Sequence, residues 1–574
     1  MRKNLSKSIR SLKNNQFIFS LLLIAVVLRL PAIREGLPAV YNSTEYFLAK
    51  IALNMGSRQS LDPLIYVYPT FYTYILLCLY GCYYMVGQWI GLFSDRTAFA
   101  VEFLIQPTNF YLLGRLLNVI ISVLTIYLIY RILEKYRGKF FAGVAAAMAT
   151  LSQFYIEFSG YATSDTLLIF FSTLTVLFFV IIDQSPRLSY LFVQGLWCSL
   201  AIASKYNAGV LVIGILINNF CLYQKYRLNY FKTTLISITG IIIGFFLTNP
   251  LWLIIPDKYY EGFHYRMAQM SIAVSTDHGL NYIWEINQLI NKEWMIGFVF
   301  IAGTVFVLWK QNKHFLPQLT IVLLTFLYVG SWQKKGMDYL FAIFPIWIIF
   351  GTAWLEYVYH KFLKKEFNKI FFMGFVFFPS LLLSIYHGIL FLGPDTREEA
   401  TQWLIQHHRT DYKYCYDNYH YDLAVFDINR YVEYGAGSAY LPIAVKKELE
   451  KYRQDRRNIF LIPIMYQDPN PAYSGTNLYE KEESYYKRKD LGRLLAEGTN
   501  FLITNDATYL TNQRVHIEQY PPFITERIRE IRDFNSRLDT HFKPIQVFKP
   551  GFWRKGPELK IYDLSKTVNS QMVK

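Results

Sequence analysis

Residues 29–69 read RLPAIREGLPAVYNSTEYFLAKIALNMGSRQSLDPLIYVYP. An apolar run of span length, about 17–25 residues, ends in the first residues of this stretch, and an aromatic segment opens at Tyr68-Pro69. Among the residues between them are the carboxylates Glu45 and Asp62. Polar chemistry placed directly after a membrane-length segment reads as a loop lying on a bilayer surface.

The rest of the chain agrees with a bilayer setting. Of 574 residues, 53% are apolar and only 17% are charged, with 46 Tyr and 46 Phe. Apolar runs long enough to cross as helix recur along the first two thirds of the chain, and the aromatic excess suits side chains anchored at the interfaces. The net charge of +16 does not call for nucleic acid, because the basic residues cluster in short loops between spans. The run after MRKNLSKSIRSLKNNQ has no small-residue cleavage site, so it is read as a retained first span. Five scattered cysteines form neither a metal-site spacing nor a disulfide framework, and the need for a divalent metal stays open.

Orientation comes from the bases. Arg2, Lys3, Lys7, Arg10 and Lys13 place the N-terminus in the cytoplasm. If the stretch 68–93 crossed the bilayer, the loop EKYRGK (134–139) and the bases at 225–232, 310–313 and 361–369 would all fall outside. Reading 68–93 as a helix lying in the outer interface repairs every loop at once, and its many Tyr suit that role. About eleven spans then run through 17–33, 109–132, 140–158, 164–182, 189–204, 208–223, 233–255, 294–310, 315–331, 339–358 and 370–392. The odd number puts the region beyond the last span outside.

Composition changes at Gly393-Pro394. Residues 1–393 are read as a membrane-embedded domain whose outer loop is 34–108, and 394–574 as a soluble extracytoplasmic α/β domain. DTREEATQWLIQHH opens with a capping-box pattern, Thr396 to Glu399. Helices are expected near 442–456, 487–497 and 524–537, and strands at 458–466, 500–506 and 558–564.

Charges at membrane depth are functional candidates by default, and here they gather at the outer boundary. Glu45 and Asp62 lie in the first outer loop, Arg115 near the outer end of the second span, Asp165 where the chain enters the fourth, and Lys205 at the end of the fifth. Lys334 and Lys335 form a basic pair on the outside, and Arg266 and His278 sit in the outer loop 256–293. Cations can neutralise a departing phosphate, and a carboxylate can take a proton from an acceptor hydroxyl. Plainer roles compete. Asp62 before Pro63 suits a turn, Asp165 a helix start, Lys205 a snorkelling position, and Arg115 a structural ion pair.

Four stretches in order carry a resemblance: YNSTEYFLAKIALNMGS through LDPLIYVYPTFYTYILL, FYLLGRLLNVIISVLTIYLIYRI, SGYATSDTLLIFF and LAIASKYNAG. The chain resembles the dolichyl-phosphate-mannose protein mannosyltransferases and, more broadly, the GT-C glycosyltransferases, including the aminoarabinose transferases of lipid A. FKPGFWRKGPELKIYDL is similar to the closing segment of their bacterial members. The resemblance implies a GT-C-like helical bundle with interfacial helices in the first outer loop. It also implies inverting transfer of a sugar from a polyprenyl-phosphate donor to a protein, lipid or glycan acceptor outside the cytoplasm, in the cell (inner) membrane.

Residue by residue, Glu45 matches the second member of an Asp-Glu motif whose first member, the base, is here Thr44. Asp165 matches a second acidic position, Lys205 the lipid-phosphate lysine with Tyr206 beside it, and Arg115 the arginine of the second helix. Asp338 stands where related bacterial sequences carry Arg. Glu45 is the leading base, with Asp62 as understudy. Asp165 would position the acceptor or a sugar hydroxyl, and Lys205 with Arg115 would hold the phosphate, with Arg266, His278 and Lys334 as further substrate contacts. Thr44 motivates a second reading, a catalytically silent homologue that binds lipid-linked sugar. A transporter or flippase, the third, would place charges at mid-span.

Overall fold

The computed structural model describes residues 2–272, 281–310, 313–332, 334–362, 367–409, 411–417, 423–425, 428, 441–459, 461–465, 487–488, 491–505 and 522–565. His278 lies outside the described residues.

The helices, in order, are α1 (Arg2–Ile33), α2 (Ser43–Arg58), α3 (Phe71–Trp89), α4 (Arg96–Ile105), α5 (Thr108–Leu151), α6 (Gln153–Ser159), α7 (Asp165–Gln184), α8 (Leu188–Ser204), α9 (Val210–Tyr226) and α10 (Tyr230–Thr248). Next come α11 (Leu251–Ile254), α12 (Pro256–Ile272), α13 (Asn281–Glu293), α14 (Met295–Lys310), α15 (Leu316–Gly330), α16 (Phe344–Phe362), α17 (Phe367–Leu392) and α18 (Thr396–His407). Among the described residues seven helical segments are long and apolar enough to cross a membrane, and α8, α14 and α15 are shorter apolar helices.

One of the seven is α5, whose 44 residues would extend roughly 66 Å at 1.5 Å per residue, about twice a hydrocarbon core. The helix is broken at Gly138, whose φ of 76° and ψ of 168° are not helical. Contacts show the chain reversing there. Arg115, before the break, donates to the carbonyl of Ile33 at one end of α1. Gly143, after it, packs on Phe17 at the start of the apolar part of α1, Gln16–Ile33, and Ala149 and Thr150 return to Arg29. Counting α5 as two arms makes the eleven apolar segments expected. The protein is a polytopic α-helical membrane protein with a small C-terminal α/β region.

Packing depends on small residues. α8 and α10 pack closely because Gly195 and Gly240 let backbones touch: a Cβ on either would fall 2.2 or 2.3 Å from a carbonyl of the facing helix. The loop helices are capped as their sequences dictate. The Asn42 side chain accepts from Thr44 and Glu45 N–H at 3.0 and 3.3 Å, which starts α2. α3 is not among the segments apolar enough to span. Its Tyr80 ring meets Phe110, and its Leu76 packs on Gly114, at the Arg115 end of α5.

Beyond α17 a six-stranded sheet has the order β3-β2-β1-β4-β6-β5. Its strands are β1 (Tyr414–Asp417), β2 (Leu461–Met465), β3 (Lys487–Arg488), β4 (Phe501–Asn505), β5 (Pro544–Phe548) and β6 (Leu559–Asp563). The first four in that order pair in parallel, and β5 and β6 run antiparallel. Alternation decides the faces. Tyr414, Tyr416, Ile503 and Ile561 pack on Ala400 and Leu404 of α18. Cys415, Leu502 and Tyr562 pack on Leu491 and Leu494 of α19 (Leu491–Ala496), and on Phe534 and Leu538 of α20 (Pro522–His541). The three expected strands are present, whereas β1, β3 and β5 were not anticipated. The start of α18 departs from the expected capping box. Asp395 is the cap, accepting from Arg397 N–H at 2.9 Å, while Thr396 Oγ1 donates to the Pro557 carbonyl.

Candidate active site

Two clusters of charge meet at the Arg115 end of the bundle. The first centres on Arg115, fully buried on α5. Its Nε and Nη2 each lie 2.7 Å from an oxygen of Glu45, a bidentate pair. Its Nη1 donates to the carbonyls of Ile33 and Glu35 at 2.8 Å. Glu45 also accepts from Ala162 N–H at 2.8 Å and is fully buried. This geometry gives both residues protein partners. A base must reach a substrate proton, but both Glu45 oxygens are occupied by protein donors and neither is exposed. Arg115 could hold a phosphate only by leaving Glu45 as an uncompensated buried charge. The pair staples the first loop to α5 and to the turn at 160–164.

The second cluster centres on Lys205, at the C-terminal end of α8 in extended conformation (φ −158°, ψ 128°). Its Nζ lies 2.7 Å from Asp165 Oδ1 and 2.6 Å from Asp338 Oδ2. Asp165 opens α7, where a carboxylate suits the positive end of the helix, and its Oδ2 accepts from Thr163 Oγ1 at 2.9 Å. Asp338 lies on a 3-10 segment, Met337–Ile343, leading into α16. It is the most open of the three, with 23% of its side chain exposed against 13% for Lys205 and 7% for Asp165.

Aromatic rings and further cations border this cluster. The Tyr339 ring lies 5.1 Å from Lys205 Nζ, and Arg266 stacks on Tyr68 at 4.9 Å. Arg266 and Lys334 both lie within electrostatic reach of Asp338. Burial, together with the nearby charges of Arg266 and Lys205, pushes the Lys334 ammonium down to about 8. Burial alone would lower Lys205 too, but Asp165 and Asp338 outweigh it and hold that ammonium above its ordinary value. Lys205, Lys334 and Arg266 against two carboxylates leave the cluster net positive. Tyr206 packs its ring on Phe263, 5.4 Å away.

Asp62 stands apart from both clusters. Its Oδ1 accepts from Leu64 N–H and the Tyr66 hydroxyl, at 2.9 and 2.7 Å, which is the geometry of a turn residue. The structure thus joins Asp165 and Lys205, brings Arg266 and Lys334 beside them, and seals Glu45 with Arg115. Sequence reasoning flagged Asp338 only as a departure and did not single out Tyr339, although an acid in DYLFAIFP just before a span was a usable signal. Among the described residues no group of three or more His, Cys, Asp or Glu side chains could hold a metal ion. An apolar groove of about 600 Å³, lined by Ile213, Ile217, Phe220 and Phe231 among others, runs along α9 toward the start of α10 and contains none of these charges.

A family comparison bears on the same helices. Residues 110–254 match the family described as dolichyl-phosphate-mannose-protein mannosyltransferase. The resemblance read from the sequence is to that family. The match spans Arg115, Asp165 and Lys205. Among solved structures the chain is similar to ArnT from Cupriavidus metallidurans bound to undecaprenyl phosphate, at 11% identity over 97% of this chain and 99% of that one, TM-score 0.49. It is also similar to the Archaeoglobus fulgidus oligosaccharyltransferase tethered with an acceptor peptide containing the NVT sequon, at 11% identity over 90% and 72%, TM-score 0.46. No curated protein matches the chain.

Proposed function

We propose that this protein is an integral membrane glycosyltransferase that moves a sugar from a polyprenyl-phosphate donor to an extracytoplasmic acceptor, with inversion. The N-terminus is then cytoplasmic and the α/β region, residues 394–574, extracytoplasmic. The observation that carries the reading is Lys205 held between two carboxylates at the bundle end, with Arg266 and Lys334 beside it; Lys205 and Asp165 lie within the stretch that matches the mannosyltransferase family.

The chemistry asked of the site is a single displacement. The bond from the sugar's anomeric carbon to the phosphate oxygen breaks, and its electron pair leaves with the phosphate. The acceptor hydroxyl forms the new bond and gives up its proton. Lys205, Lys334 and Arg266 stabilise the charge growing on the phosphate. Phosphate leaves well, so one base suffices. Asp338 is the carboxylate best suited to that role: Glu45 is sealed by Arg115, Asp62 serves its turn, and Asp165 is engaged by both Thr163 and Lys205. Asp165 then orients the acceptor or a sugar hydroxyl.

The test is incubation of the purified protein with a panel of polyprenyl-phosphate sugars and protein, lipid and glycan acceptors, following donor hydrolysis and transfer. Transfer that vanishes in Lys205→Ala supports the reading, and transfer unchanged in that variant removes the phosphate assignment. A second reading, a binding homologue without activity, is favoured by Thr44, which supplies no carboxylate beside Glu45. In that case Thr44→Asp gains transfer that the wild type lacks.

A further inference from the structure

The turn that delivers Asp165 to Lys205 is held from several sides. Asn118 Nδ2 donates to the carbonyls of Tyr161 and Thr163 at 2.6 and 2.8 Å. The Ala162 N–H is fixed by Glu45. The Tyr161 hydroxyl donates to Glu35 Oε2 at 2.9 Å. The other oxygen of Glu35, Oε1, is ion-paired with Lys555, 520 residues further along the chain. Glu35 is buried, with 7% of its side chain exposed, so its charge depends on what faces it.

Lys555 belongs to the turn GFWRKG, residues 551–556. That turn is attached to the end of α17 and the start of α18 by bonds that do not use the lysine side chain. Tyr386 OH donates to the Phe552 carbonyl, Lys555 N–H to the Pro394 carbonyl and Thr396 N–H to the Lys555 carbonyl. Arg554 pairs with Glu399 at 2.9 Å. The Tyr386 bond holds the turn against α17 without the ammonium of Lys555, which lies 4.0 Å over the Phe391 ring of α17 and reaches on to Glu35. Lys555 to Glu35, Glu35 to Tyr161, and the 161–165 turn to Asp165 form one connected path to the Lys205 cluster.

We infer that Lys555 is a positioning residue: through Glu35 and Tyr161, the docked C-terminal region sets the place of Asp165 beside Lys205. The inference takes the assignment of Asp165 to the site from the proposed function, but the path itself exists whatever the chemistry. Without the ammonium, Glu35 Oε1 loses its ion pair and the carboxylate is held through Oε2 by the Tyr161 hydroxyl, so the Tyr161 anchor loosens with it. The C-terminal region thereby becomes part of the site rather than only a cover over it.

The experiment uses the full-length protein in detergent or nanodiscs. Hydrogen exchange is followed in peptides covering 158–165 for wild type, Lys555→Ala, Lys555→Arg and Tyr386→Phe. Lys555→Ala is expected to speed exchange there on the order of tenfold, the scale set by one charged hydrogen bond. Lys555→Arg should hold the wild-type rate, and Tyr386→Phe, which removes the bond from α17 to the Phe552 carbonyl without touching Glu35, should leave the 158–165 rate unchanged. Turnover of an active polyprenyl-phosphate sugar should fall in Lys555→Ala through kcat, with the donor KM within about twofold. Wild-type exchange in Lys555→Ala overturns the inference, as does equal acceleration in Tyr386→Phe, which makes the effect one of docking alone. A wild type inactive on every donor sinks the glycosyl-transfer reading instead, and leaves the exchange rates to decide the role of Lys555.

Discussion

The two charge clusters use the same kinds of side chain at the same end of the bundle, yet they are built in opposite ways. Arg115 spends its donors on Glu45 and two carbonyls, and neither member of the pair reaches the surface. Lys205 bridges the buried Asp165 and the partly open Asp338, and further cations gather around it. A guanidinium with bidentate partners suits a fixed joint, whereas a single ammonium can trade one carboxylate for an incoming phosphate. The difference teaches that a charge at membrane depth marks a site only when something other than protein can still reach it.

Substitutions should separate the clusters. The largest effect belongs to Arg115→Ala, which leaves Glu45 buried without its partner and is expected to cost about 3–5 kcal/mol of stability. It should read as lost folded yield or a sharply lower melting temperature, with Arg115→Lys failing to restore either. A variant that melts like wild type would erase the distinction. Lys205→Ala should do the reverse, cutting transfer by about 10²–10³-fold with a melting shift smaller than that of Arg115→Ala. Next, Asp338→Asn should lower kcat about 10²-fold with donor KM nearly constant. A loss confined to KM would make Asp338 a binding group and reopen the search for the base.

The smallest effect is a pH dependence. Lys334 is protonated below about 8 and loses its charge above it. Attraction for an anionic donor is then present at neutral pH and weakens as pH rises. kcat/KM, which reports the free enzyme, should fall about threefold above pH 8. Lys334→Arg, whose guanidinium keeps its proton, should flatten that fall. A profile identical in both proteins would place Lys334 outside the donor's path.

Much of this was legible from residue order. Span lengths come from hydropathy, which acts locally, and α3 falls outside the segments apolar enough to span. The convergence of Asp165 and Lys205 was legible because both interrupt apolar runs, where a charge is costly. The state of Glu45 was not, because exposure is settled by Arg115, 70 residues away. Asp338 stood out only as an odd residue, since no local pattern tells an acid that it will face a lysine 133 residues earlier. Glu35 and Lys555 gave no signal at all. In REGLP and WRKGP they read as ordinary loop charges until the fold brings them together. The capping box at Thr396 misled for a related reason: Asp395 is the equally good cap one residue earlier, and Thr396 is drawn to Pro557 instead.

The break at Gly138 bears on how the protein meets bilayers of different thickness. Two apolar arms joined through one non-helical residue have little slack with which to slide past each other. A thinner membrane has to be met by tilting the arms as a unit. The far ends of both arms, one holding Arg115 and the other the carbonyls that grip Arg29, then rise and sink together, so the depth of the Arg115 end is shared across the bundle and not adjusted helix by helix.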